Sequence, residues 1–270
     1  MSADGYSLAE MMCVAAARAL PETGTALLGM GPPLLAGTLA KLLQRPGLVV
    51  CTEVGAIDWD PDPDQVDRAP YGVSDNNLHL GLAMASDMVD GLGTLLMGGN
   101  VDVGVLQAAQ IDRFGNLNTL LLGSYQQPTR RLGGTGGNTE IACLARSLIA
   151  LMPQEPRRWV ERVDFNTSPG YRDGPGGRQR AGLDTQGPNT LISTMGVFGY
   201  DTPDGGASGS CEVRLDAVFP GVDPETIAAL VPWPLRMAET ITELPPPTTA
   251  ELSLLRRLDR LGMYLAPGRY

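Results

Sequence analysis

The sequence predicts an α/β fold: an open, mostly parallel sheet with helices on both faces. Three observations lead to this class. The apolar runs are short and nearly continuous, as in strands that are buried on both sides. Segments with apolar residues at helical spacing alternate with those runs. No internal repeat and no long linker interrupts the 270 residues, so we expect a single domain over residues 1–270.

The first part of the chain alternates predicted helices and strands. Ser7 and Glu10 have the spacing of a capping box, and apolar residues then recur at helical spacing, so a helix should open the chain and end near Pro21. A buried strand, a helix with proline in its first turn, a second buried strand, an acidic loop and another helix should follow. In that order, these five elements are expected at residues 25–31, 32–44, 48–55, 60–67 and 78–90.

The rest of the chain is predicted to hold strands separated by loops rich in glycine. The strands are expected at residues 93–99, 103–112, 117–124, 159–168, 189–201 and 211–219. Glycine-rich loops are expected at 133–138 and 168–183, and a turn-rich segment at 203–210. Thr248 and Glu251 predict a second capping box that begins a closing helix.

Charge and composition exclude several classes of function. The net charge of −10 argues against binding to nucleic acid or to an anionic membrane surface. The four cysteines lack the spacing of metal ligands, and the first residues are acidic where a signal peptide is basic, so we expect a reduced, cytoplasmic protein without a membrane span. His79 is the only histidine, which excludes histidine-dependent catalytic triads and histidine-rich metal sites.

The stretch VVCTEVGAID places Glu53 at the end of a predicted strand, two residues before Gly55. Ligands of α/β folds bind outside the carboxyl ends of the strands, where a glycine also allows close approach to the backbone. Glu53 could therefore act chemically, or it could simply cap a turn or pair with an arginine. The strand alone leaves both interpretations open.

Three further segments are candidates for binding. In the loop 133–138, the backbone around Gly136, Gly137 and Asn138 could cradle an anion, or it could be an ordinary tight connection. Asn118 follows a turn predicted at 112–115 and could point its amide into a site. The long loop 168–183 offers Arg172 and Arg178 to an anion.

Taken together, four motifs resemble the β subunit of class I coenzyme A-transferases of the glutaconate CoA-transferase type. They are TEVGAID at 52–58, AQIDRFGNLN at 109–118, GGTGGNTEIA at 133–142 and TSPGYRDGPGGRQRAGL at 167–183, and GMGPPLLAG at 29–37 fits as well. The resemblance covers nearly the whole chain. It implies the open α/β sheet of that family.

The resemblance also implies chemistry. Glu53 occupies the position of the family's catalytic nucleophile, and the glycine loop lies beside the active site, where Gly136 and Gly137 would help to bind the oxyanion. Coenzyme A would be a substrate and part of a covalent intermediate, with no metal and no permanently bound cofactor. A homologous α subunit would complete a heterotetramer or larger assembly, which acts on an acyl-CoA and a small carboxylic acid.

Three alternatives follow from the same resemblance. Some relatives hydrolyse a ring in steroid-derived CoA esters, and others are decarboxylases with a cysteine at the glutamate position. This chain keeps Glu53, and its nearest cysteine, Cys51, lies two residues earlier, which disfavours the decarboxylase. The third alternative is a non-catalytic structural subunit, which the presence of Glu53 disfavours.

Overall fold

The computed structural model describes residues 5–65, 69–70, 72, 75–202 and 209–266. The strands are β1 (Thr23–Leu28), β2 (Gly47–Cys51), β3 (Ala56–Trp59), β4 (Leu82–Ala85), β5 (Val103–Gln107), β6 (Gln110–Ile111), β7 (Leu117–Asn118), β8 (Leu121–Gly123), β9 (Pro128–Arg131), β10 (Ser147–Met152), β11 (Pro188–Ser193), β12 (Gly196–Tyr200), β13 (Val213–Val218) and β14 (Arg236–Glu243). The α-helices are α1 (Leu8–Ala19), α2 (Pro32–Leu43), α3 (Asn138–Leu144), α4 (Gly177–Arg180), α5 (Pro224–Ala228) and α6 (Thr249–Leu258). A 3₁₀ helix spans Asn76–His79 and a π-helix spans Val89–Met97.

The chain divides into two compact units. The first unit comprises Met1–Leu106 and Pro246–Tyr270, and the second comprises Gln107–Pro245. Compactness does not decide whether the units fold independently, so a single domain over 1–270 stays a prediction.

In the first unit, strand order is β5-β1-β2-β3-β4. β1 pairs in parallel with β2 and β5, whereas β3 is antiparallel to β2 and to β4. Both predicted capping boxes are confirmed: Ser7 and Glu10 begin α1, and Thr248 and Glu251 begin α6. Arg18 forms a salt bridge of 2.7 Å with Glu251, so the same carboxylate that caps α6 also ties it to α1.

In the second unit, strand order is β14-β13-β12-β11-β10. The outer pairs β13–β14 and β10–β11 are parallel, and β12 is antiparallel to both of its neighbours. β6 with β7 and β8 with β9 form two small antiparallel pairs. Trp159 is buried in this core, with its ring centroid 5.2 Å from that of Phe198 and 6.1 Å from that of Trp233.

The α/β class is confirmed, and each unit combines parallel with antiparallel pairing. The predicted strands at 25–31 and 48–55 and the predicted helix at 32–44 correspond to β1, β2 and α2. The predicted strands 103–112, 117–124 and 189–201 each divide into two shorter strands. Parts of the acidic loop 60–67 and of the turn-rich segment 203–210 lie outside the described residues.

Three predicted elements are wrong. Residues 78–90 are not one helix: Gly81 has a φ of +80° and leads into β4, which pairs with β3. The apolar run 93–99 is no strand, because residues 93–97 belong to the π-helix, and the N–H of Gly98, which follows the helix, donates to the Gly93 carbonyl. Residues 159–168 alternate like a strand but make only isolated bridges, at Trp159 and Ser168. Alternation of apolar and polar residues reflects which side chains are buried, and here an irregular segment shows the same alternation as a strand.

Candidate active site

Glu53 lies in the turn that joins β2 to β3, two residues after β2 ends at Cys51. The turn is closed by backbone hydrogen bonds: the Thr52 N–H donates to the Ala56 carbonyl over 2.9 Å, and the Gly55 N–H donates to the Thr52 carbonyl over 3.2 Å. The Glu53 side chain is half-buried. The structure thus presents this carboxylate at the carboxyl end of a strand, as the sequence predicts.

The residues after β4 hold this turn from the other side. The Ser86 N–H donates to the Gly55 carbonyl over 2.9 Å. Gly55 has a φ of +85°, and a Cβ atom there would lie 2.5 Å from the Asp87 carbonyl oxygen. A Cβ atom on Gly91, in the first turn of the π-helix, would lie 2.6 Å from the Glu53 carbonyl oxygen. Both glycines are therefore required for the close backbone contacts that position Glu53. The group that closely approaches Gly55 is therefore the protein's own backbone and not a ligand.

The start of the π-helix next to this turn is acidic. The Asp87 side chain accepts hydrogen bonds from the N–H groups of Val89 and Asp90. Asp90 accepts hydrogen bonds from the hydroxyls of Ser86 and Thr94, which lower the pKa of its carboxyl. These bonds fix the geometry of the segment that contacts Glu53.

In the second unit, the glycine loop 133–138 leads into α3. Gly134 and Gly136 have φ values of +98° and +49°, so the path of the loop depends on glycine. The N–H of Gly134 donates to the Thr119 carbonyl, and the N–H of Asn138 donates to the Thr135 carbonyl. Among the described residues, the exposed Gly136 has no acceptor for its N–H. Gly137 is buried and precedes the first residue of α3.

Asn118 is fully buried, and its amide is used within the fold. Its Nδ2 donates to Gln110 Oε1 over 2.7 Å and to the Leu121 carbonyl over 2.6 Å. Its Oδ1 accepts from the Leu120 N–H over 3.0 Å. Asn118 therefore joins β6, β7 and β8, and no donor is left to point into a site.

Arg178 is also buried, and its guanidinium makes five hydrogen bonds to neutral acceptors. They run from Nε to the Thr185 carbonyl, from Nη1 to the carbonyls of Pro169 and Gly170, and from Nη2 to the Ala142 carbonyl and Thr185 Oγ1. The geometry assigns Arg178 the role of fastening the loop 168–183 to α3. All of its N–H donors are occupied, so it offers none to a bound anion.

We expect Arg178→Lys to lower the stability of the enzyme by roughly 2–4 kcal/mol, because a lysine cannot replace the planar fork and leaves buried carbonyls unpaired. Arg180→Lys is the matched control, since Arg180 pairs with Asp173 at the surface. Urea unfolding of both variants measures the difference. Equal stability of the two variants, with a raised KM for acyl-CoA only in Arg178→Lys, would contradict the structural role.

Asn116 organises the neighbouring loops, a role that the sequence did not reveal. Its Nδ2 donates to both carboxylate oxygens of Asp112 and to the Arg172 carbonyl. Its Oδ1 accepts from Asn166 Nδ2 and from the N–H groups of Gly170 and Arg172. The Asp-x-x-x-Asn spacing was the available signal, but it is equally typical of a simple turn.

Arg172 is exposed and has a φ of +60°, held by these bonds to Asn116. It lines a surface cavity of about 830 Å³. The cavity is also lined by Asp112, Phe114, Asn116, Glu161, Arg162, Val163, Asp164, Phe165, Asn166 and Asp173. Of the two predicted arginines, only Arg172 has its guanidinium at the surface of the molecule.

Burial raises the pKa of Asp112 to about 6 from its ordinary value of 3.8, although hydrogen bonds from Asn116 and Phe114 oppose the rise. The folded state binds this proton more tightly than the unfolded chain does. The stabilising contribution of Asp112 is thus complete below about pH 4 and is lost as the pH rises through about 6.

Asp112→Asn should therefore flatten the fall in stability between pH 4 and pH 6, by an amount on the order of 2–3 kcal/mol. Asp184→Asn, at an exposed aspartate of the same unit, is the control variant. Thermal unfolding across this pH range provides the comparison. A slope in Asp112→Asn equal to that of the wild type would show that Asp112 does not titrate in this range.

The structure offers no metal site among the residues it describes. Those residues contain no group of three His, Cys, Asp or Glu side chains that could hold an ion. His79 is exposed at the end of the 3₁₀ helix. Within the same described ranges, no helix has both the length and the apolar character needed to cross a membrane.

Residues 9–224 match the family model described as coenzyme A transferase. The chain is 36% identical to one subunit of the 3-oxoadipate CoA-transferase of Pseudomonas knackmussii, over 94% of each chain. It is 27% identical to the cholesterol ring-cleaving hydrolase IpdB subunit of Mycobacterium tuberculosis over 56% of this chain and 58% of the relative.

A solved structure matches this fold over nearly the whole chain. The crystal structure of glutaconate coenzyme A-transferase from Acidaminococcus fermentans matches with a TM-score of 0.85 and 28% identity, covering 97% of this chain and 98% of that one. The sequence of one subunit of glutaconate CoA-transferase from the same organism is 29% identical over 93% of this chain. The chain therefore belongs to the coenzyme A transferase family.

Proposed function

We propose that this chain is the β subunit of a heteromeric CoA-transferase that moves coenzyme A between an acyl-CoA and a carboxylic acid, with Glu53 as the nucleophile. The observation that carries the proposal is the half-buried carboxylate of Glu53, held at a strand end by Gly55 and Gly91 in a chain that matches CoA-transferase subunits over its length.

The reaction begins when a Glu53 oxygen attacks the thioester carbonyl and expels the CoA thiolate, which leaves an acyl-glutamyl anhydride. The thiolate then attacks the glutamyl carbonyl and releases the first carboxylate. The product is a CoA thioester of Glu53, which stores the energy of the original thioester. A second carboxylate reverses both steps and leaves as the new acyl-CoA, so neither ATP nor a metal is consumed.

Each attack creates a tetrahedral oxyanion. We assign its stabilisation to the glycine loop 133–138, as the family resemblance implies, with Gly136 and Gly137 as the candidate donors. The Gly136 N–H supports this choice because it has no acceptor among the described residues, whereas the Asn138 N–H is used in the turn. One well-placed donor contributes about 3 kcal/mol to transition-state stabilisation.

The substrate is proposed to be a dicarboxylic acid. The names of two relatives that match over nearly the whole chain specify 3-oxoadipate and glutaconate, and both compounds are dicarboxylates. A second carboxylate on the substrate requires a cationic or hydrogen-bonding partner. That partner is proposed to come from the homologous α subunit, in an assembly of the size of a heterotetramer or larger in the cytoplasm.

A ring-opening hydrolase is the second candidate, because the hydrolase relative also matches part of the chain. The two functions differ in the bond that breaks: a transferase breaks the thioester, whereas a ring-opening hydrolase adds water to a bond of the ring and keeps the thioester. Incubating the purified complex with a dicarboxyl-CoA and a second carboxylic acid, and separately with a cyclic CoA ester, distinguishes them. A new acyl-CoA in the first incubation supports the transferase, whereas a ring-opened product that still carries CoA in the second supports the hydrolase.

The loop itself can be tested with Gly137→Val. Gly137 has a φ of −81°, which does not itself require glycine, but the residue is buried. We therefore expect overpacking of about 1–3 kcal/mol and, in the fraction that is folded, a kcat lowered by about ten- to a hundredfold. Gly133→Val is the control, because a Cβ atom at Gly133 meets open space. Wild-type turnover in Gly137→Val would show that the loop is only a connection.

A further inference from the structure

The first unit carries an exposed apolar surface beside the Glu53 turn, which we call the methionine face. Its members are Leu80, Met84, Met88, Val89 and Met97. Met84 and Met88 are 49% and 54% exposed, and Met97 and Val89 are 72% and 73% exposed. Large apolar side chains clustered at such exposure are typical of protein interaction sites.

Backbone structure makes this surface suited to docking. β4 is the edge strand of the first unit, and the described residues pair it with β3 only. Its residues Ala83, Met84 and Ala85 are all exposed. An apolar edge strand with unpaired backbone groups is prone to association unless a partner covers it. Val89 and Met97 lie on the π-helix that follows β4 and are exposed as well.

The charges around the methionine face select the partner. Residues 69–112 contain no lysine or arginine, and Asp87 and Asp90 lie among the members of the methionine face along the sequence. Neither aspartate forms a salt bridge among the described residues. A second copy of this chain, docked on the same face, would bring the two acidic rims together. The surface instead fits a partner with an apolar patch rimmed by lysine or arginine.

We propose that the methionine face is the docking surface for the α subunit. The inference rests on the proposed function, because the relatives are subunits of multi-subunit enzymes. The segment that carries the surface is the one that supports Glu53, through Ser86 and Gly91. The α subunit on this surface adjoins the nucleophile, and its binding stabilises the turn in which Glu53 lies.

The test measures binding between the purified chain and the α-subunit homologue of the same organism, with no acyl-CoA present. We expect Met84→Gln combined with Met97→Gln to raise the dissociation constant at least tenfold. Leu43→Gln combined with Leu261→Gln is the control, since both leucines are exposed in the same unit but outside the methionine face. The association rate of the wild-type pair should fall as salt is added.

A photo-crosslinking residue in place of Met88 gives a second readout that does not depend on a loss of binding. It should crosslink to the α subunit. Unchanged affinity in the methionine variants, or a crosslink to a second copy of this chain, would overturn the proposal. Because binding is measured directly, a complex that depends on the methionine face but lacks transferase activity refutes the proposed function and leaves the docking surface intact.

Discussion

Glu53→Gln should abolish CoA transfer by the assembled enzyme and lower kcat by at least about a thousandfold, because an amide cannot attack a thioester to form an anhydride. The side chain is only half-buried, and glutamine has nearly the same shape, so the unfolding free energy should change by less than about 1 kcal/mol. Steady-state turnover and urea unfolding, measured on the same preparation, separate the two effects.

Glu22→Gln is the matched control, because Glu22 is a glutamate of the same unit with 80% of its side chain exposed. It should retain full turnover. If Glu53→Gln keeps more than about a tenth of the wild-type kcat, Glu53 only supports the site and another group reacts.

Gly55→Ala should both destabilise the chain and impair turnover. A Cβ atom at this position would lie 2.5 Å from the Asp87 carbonyl oxygen, and the φ of +85° disfavours any residue other than glycine. Backbone strain of about 1–2 kcal/mol and overpacking of about 1–3 kcal/mol should together cost at least about 3 kcal/mol. The turn must shift to relieve the contact, and Glu53 moves with it.

Gly99→Ala separates strain from crowding. Gly99 has a similar φ of +74°, but a Cβ atom there meets nothing within 4 Å. It should cost only the strain, about 1–2 kcal/mol, and leave kcat unchanged. Equal effects of the two substitutions on stability and on turnover would show that the contact with Asp87 does not position Glu53.

Local signals predicted much of the fold. Ser7 with Glu10 and Thr248 with Glu251 identified α1 and α6, because a capping box is decided within four residues. The segment 78–99 was predicted wrongly because many of its apolar residues are exposed in β4 and the π-helix. Hydrophobic periodicity assumes that apolar side chains are covered by the chain itself, and here that assumption fails.

The position of Glu53 in the candidate site could be predicted from the sequence, but the contacts that hold it there could not. The strand-end location of Glu53 followed from the apolar run before it. The role of Gly91 depends on contact with a residue 38 positions earlier in the sequence, which no local pattern contains. Asn118 and Arg178 have the chemistry of binding residues, but their burial and hydrogen bonds make them structural. Sequence shows which groups are present, and only the fold shows which donors remain free.

The most direct test of the central claim is to trap the covalent intermediate. The assembled complex is incubated with an acyl-CoA in the absence of an acceptor acid and is then treated with borohydride, which reduces a glutamyl thioester to the alcohol. Mass spectrometry should find CoA on the peptide that contains Glu53 before reduction, and the alcohol with loss of activity after it. Turnover of the CoA ester with no adduct on that peptide would contradict the account.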